Sequence, residues 1–172
     1  DIAKLRFHGD NPDHYKIIDD FHIISSLNIK LLKSNLDNNT EFKLFLPYTR
    51  GDENEIFATN FLKELNFFAP KTKKLYVKIN GIKSEYLFQE KISKELIEKN
   101  GFPEGPIIEG DQRFLHTGMR NLNLGRVINK SWSSRNWRNA HVSLDALSKL
   151  NKVYLDFYNN INEFKIYKPY AI

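Results

Sequence analysis

Asn80-Gly81 stands between two runs of strand-forming residues, 75–79 (Leu, Tyr, Val, Lys, Ile) and 82–88 (Ile, Lys, Ser, Glu, Tyr, Leu, Phe). A two-residue turn that follows the right-handed twist of its strands needs positive φ at both central positions, which Asn and Gly adopt most readily. The pair therefore predicts a tight antiparallel hairpin. Just upstream, Ile56, Phe57, Phe61, Leu62, Leu65 and Phe68 fall on one helical stripe, with Asp52 placed to cap the helix and Glu55 at its third position, close to a capping box. Pro70 ends that helix.

Three short strands are expected before the helix. Residues 4–8 alternate, with Leu5 and Phe7 inward and Arg6 and His8 outward; apolar residues return at Ile23 and Ile24 and along 27–31, where Leu27, Ile29 and Leu31 share a face; residues 42–46 form the third strand, stopped by Pro47. A polar loop fills 34–40. After the hairpin, Ser93 caps a short helix that ends near Gly101. Residues 101–142, rich in Gly, Asn, Arg and Ser, lack periodicity and read as irregular, whereas Leu144, Leu147, Leu150, Val153, Tyr154, Phe157 and Tyr158 mark a final amphipathic helix. The expected class is α+β: a small antiparallel sheet with a packed helix, plus a C-terminal amphipathic helix.

With 172 residues the chain is long enough for one substantial core and short for two. It has no cysteine, which excludes disulfides, thiolate catalysis and cysteine-ligated zinc. The formal charge of +5 suits an anionic partner, but Lys and Arg are spread along the chain instead of forming one stripe. No apolar run reaches the length of a membrane span.

Four groups of residues can carry chemistry. His8-Gly9-Asp10 with Asp13 and His14 offers imidazole and carboxylate ligands to a divalent cation, or else orders a turn. Lys30, Lys43, Arg50 and Glu55 can supply a strand lysine held by a helix carboxylate and aimed at phosphate oxygens, or else a capping Glu55 with solvated lysines. Gln89-Glu90-Lys91, where the hairpin runs out, can present backbone groups to an adenine edge, or is a strand end turned polar. In 130–139, Trp132 and Trp137 among Lys130, Arg135 and Arg138 can stack bases and neutralise phosphate, or anchor the segment to a core.

Several blocks, in order and spacing, resemble the CotH family of spore-coat-type protein kinases, which have a divergent kinase-like fold. They are residues 5–10 (LRFHGD), 26–31 (SLNIKL), 54–58 (NEIFA), 69–72 (APKT), 77–81 (VKING) and 86–91 (YLFQEK), and the similarity covers residues 2–113. The resemblance implies ATP-dependent phosphoryl transfer to a protein hydroxyl, assisted by a divalent metal such as Mg. It implies that Lys30, in preference to Lys43, contacts nucleotide phosphates, that Glu55 orients it, that Glu90 sits at the hinge, and that the His8-Gly9-Asp10 turn lies over the phosphates. The family places arginine where His8 stands. Residues 1–113 would then be the kinase-like nucleotide-binding lobe and 114–172 the loops and helix that begin a second lobe. The family's catalytic and metal-binding carboxylates have no counterpart in the chain, so a truncated and inactive piece is expected. Rival expectations are a nucleic-acid-binding module using 130–139 and a kinase-like interaction domain without catalysis.

Overall fold

A computed structural model describes residues 2–9, 12–20, 22–110, 125–133 and 138–158, with residues 157 and 158 described by their backbone alone. They divide into two compact units, one running to Ile92 and one beginning at Ser93. The fold is α+β.

The first unit is built on a five-stranded antiparallel sheet of β1 (Ala3–Phe7), β4 (Leu27–Leu31), β5 (Glu41–Phe45), β6 (Thr72–Ile79) and β7 (Ile82–Glu90), in the spatial order β1-β4-β5-β7-β6. Between the first two sheet strands the chain makes a separate hairpin, β2 (Tyr15–Asp19) and β3 (His22–Ser25). Helix α1 (Glu53–Glu64) connects β5 to β6. The β6–β7 hairpin forms on Asn80 and Gly81, both at positive φ (50° and 88°), as the dipeptide predicts.

One sheet face carries the core, where Leu27, Phe42, Leu44, Leu46, Tyr86 and Phe88 cluster. The register places Leu5 and Phe7 on this face too, opposite Ile29 and Leu27. Their predicted burial fails, however: Phe7 is 83% exposed, because β1 is an edge strand over which the core does not extend. Helix α1 departs from expectation in a similar way. Phe57 is 71% exposed, Phe61, Leu62 and Leu65 are also exposed, and the buried residue of the helix is Thr59. The helix stops at a Schellman closure, in which Asn66 N donates to Lys63 O and Phe67 N to Leu62 O, so Phe68 lies beyond it.

The second unit contains α2 (Lys94–Lys99), the strand pair β8 (Ile108–Gly110) and β9 (Gly125–Val127), and α3 (Ala140–Tyr158). The β8–β9 pair corrects the irregular reading of 101–142, and α3 starts four residues before the expected Leu144, which is itself exposed. Among the described residues no helix is long and apolar enough to cross a membrane.

Candidate functional site

Residues paired across strands share a sheet face, so the register defines a row on the side opposite the core: Arg6, Asn28, Lys43, Gln89 and Thr72. Lys43 and Phe45 alternate with the core residues Phe42 and Leu44 on β5, which gives that strand one apolar and one functional side. Gln89, directly opposite Lys43, donates its Nε2 to Glu55 Oε1 at 2.6 Å. A residue on the sheet and a residue in the first turn of α1 are thereby fixed beside the lysine strand.

The capping box that would otherwise occupy Glu55 does not form. Asp52 adopts φ 54° and makes no side-chain cap, and the chain enters α1 from a 3₁₀ turn, Pro47–Arg50, through Gly51. The Glu55 carboxylate instead reaches across to Gln89 on β7. Glu55 and Gln89 also line a groove of about 480 Å³, whose apolar wall is made by Leu62, Phe67, Phe68 and Ile92.

Lys30 lies in the next row of the same face, on β4 opposite Glu41, with which it forms an ion pair, and its side chain is 55% exposed. Glu41 also takes Lys91, and the two lysines, Lys30 first, lower the Glu41 pKa. Glu90 lies on the other face: its register partner is Phe42, so it belongs to the core face. It is buried, and its Oε2 accepts the Lys71 amide at 3.2 Å, which pins the start of β6 to the end of β7.

At the end of β1 the chain turns over the polar face. His8 N donates to Ser26 O at 2.9 Å, and the His8 ring meets Phe45 edge to face with centroids 4.9 Å apart. His14 stands at 90° to His8, centroids 5.4 Å apart. Gly9, at φ 93°, is required by this packing: a Cβ there would lie 1.9 Å from His14 Cδ2. Arg50 stacks over Phe45 with its guanidinium carbon 4.2 Å from the ring centroid, and Lys43 Nζ approaches the same ring at 5.7 Å. Burial, then the charges of Lys43, His14 and Arg50, lower the His8 pKa to about 4, against a small opposing hydrogen bond from Asn28.

The expected turn thus brings His8, Gly9 and His14 together, while Asp10 lies outside the described residues. Among the described residues no group of three or more His, Asp or Glu side chains gathers as a metal site. Arg50 and His14 complete a cluster that the sequence showed only in parts, because the β2–β3 hairpin and the 3₁₀ turn are needed to assemble it. In the second unit, Trp132 donates Nε1 to Glu104 Oε1 at 3.3 Å, and Ser143 Oγ bonds the Trp132 carbonyl. Residues 134–137, including Arg135 and Trp137, lie outside the described residues.

Compared with known proteins, the chain matches no family model and no curated sequence.

Proposed function

We propose that the first unit is the nucleotide-binding lobe of a CotH-like atypical protein kinase, and that Lys43, not Lys30, is its phosphate-contacting lysine. The observation that carries this reading is the Gln89–Glu55 bond beside Lys43 on the polar face. Kinase-type sites need a lysine on the sheet strand that precedes the helix, coordinated with a glutamate on that helix. Setting aside the β2–β3 hairpin, β5 is the third strand, it directly precedes α1, and Lys43 is its central residue. Lys30 is one strand earlier and engaged with Glu41.

In this reading Lys43 binds phosphate oxygens as a point charge, with Asn28 and Gln89 as its neighbours in the row. Glu55 acts through Gln89, which it holds in one orientation. The His8-Gly9 turn covers the phosphates with backbone groups, as the resemblance implies. ATP, bound with Mg, supplies the γ-phosphoryl group, which passes to a protein hydroxyl with release of ADP and a proton. The described residues furnish binding and orientation, and no catalytic base is assigned among them.

The test is calorimetric titration of Mg-ATP into the chain and its variants. Lys43→Ala should weaken binding about tenfold or more, the scale of a lost charge-assisted contact. Lys30→Ala should stay within about twofold, as expected for an exposed ion pair. Equal loss in both variants, or no binding by the native chain, overturns the reading.

A further inference from the structure

The ring of Phe45 is fully buried, yet what surrounds it is basic. Arg50 stacks on it, Lys43 lies near it, and His8 packs its edge against it with His14 beyond. Two polar atoms of this cluster, Arg50 Nε and His14 Nδ1, are shut off from solvent and have no hydrogen-bond partner among the described residues. A guanidinium N–H removed from water without an acceptor is costly, and the natural acceptor for a fork of N–H donors is an oxyanion. The groups that act on His8 are Lys43, His14, Arg50 and Asn28, none of which carries negative charge. The cluster therefore gathers unpartnered polar atoms and positive charge around one ring, with no described acidic group acting on His8.

We propose that Arg50, His14 and His8 form a binding site for a phosphate-type oxyanion. Phe45 is the floor against which Arg50 is held, and Gly9 lets the turn close on His14. On the nucleotide reading above, the oxyanion belongs to the nucleotide's phosphates; that attribution rests on that reading, whereas the site rests on the cluster itself.

The site has a sign in pH. Without the anion the His8 imidazole, held by burial and then by the cations around it, gives up its proton easily. A bound dianion opposes that field and favours the His8 imidazolium, so the site takes up a proton with its ligand and binds more tightly as pH falls. Sulfate, which does not titrate near neutrality, isolates this effect from the ligand's own protonation.

The experiment is titration of the chain with sulfate and with inorganic phosphate, followed by the imidazole NMR signals and by calorimetry at pH 5.5 and 7.5. Both histidines should shift, sulfate affinity should be several-fold higher at pH 5.5, and Arg50→Gln should lower it about tenfold or more. Arg50→Lys, which keeps the charge but not the fork, should fall between the two. Histidine signals unmoved at tens of millimolar anion, or an unchanged affinity in a folded Arg50→Gln chain, overturns the proposal. ATP added last separates the sources: displacement of sulfate assigns the site to nucleotide phosphates, and simultaneous binding overturns that attribution. Sulfate binding in a chain that does not bind ATP leaves the oxyanion site standing and removes the nucleotide reading.

Discussion

The two faces of the five-stranded sheet are made by the same strands and obey opposite rules. On β5, Phe42 and Leu44 enter the core with Leu27, Tyr86 and Phe88, while Lys43 and Phe45 face a side whose row reads Arg6, Asn28, Lys43, Gln89, Thr72. The apolar face is held by burial and packing, where shape and volume decide stability. The other face combines a buried pair, Phe45 and Leu87, with a few directional bonds, of which Gln89 to Glu55 is the best defined. The contrast teaches that this sheet can lose polar residues and keep its fold, whereas loss of the core removes both.

The largest effect expected follows from that difference. Phe88→Ala, which removes a fully buried ring that packs 5.0 Å from Phe42, should cost about 3–5 kcal/mol in urea unfolding. A cost below about 1 kcal/mol would mean that the apolar face is not the structural one. Next, Glu55→Gln exchanges a charged hydrogen-bond partner for a neutral one. It should lower stability by about 1 kcal/mol and weaken Mg-ATP binding a few-fold, less than Lys43→Ala. A larger effect on stability than on binding would make Glu55 a structural residue alone.

The smallest effect expected is a pH dependence of stability. With its folded pKa depressed to about 4, His8 stays neutral while the unfolded chain, with an ordinary histidine, takes up a proton near pH 6.5. Stability from this group is therefore complete above about pH 6.5 and is lost as pH falls toward 4. Thermal melts of the native chain should show this decline, and His8→Gln should flatten it. Below it, Glu41 and Asp37, both depressed by paired lysines, lose their contributions as they protonate.

Local signals in the sequence were legible where the structure is local. The Asn80-Gly81 turn and the helix after Pro47 rest on contacts between near neighbours, and the strand around Leu27, Ile29 and Leu31 shows in its own alternation. Pairing over long separations was not. Gln89 meets Lys43 across 46 positions, which no periodicity reports, and so the bond that places Glu55 was invisible. The exposed apolar residues on β1 and α1 were misjudged for a related reason: a stripe shows which residues share a face, not what covers it. The proposal of Lys43 rests on its alternation with Phe42 and Leu44 in the strand immediately before the helix, whereas the expectation of Lys30 rested on its place in the SLNIKL block of the resemblance.

The most direct test of the two-faced sheet is an NMR titration of the chain with Mg-ATP. The side-chain amide signals of Asn28 and Gln89 and the ring signals of His8 should move together and saturate at one affinity, while the methyl signals of Leu27 and Leu44 stay in place. Movement of the leucine methyls with the amides silent would place the ligand on the wrong face and contradict the account.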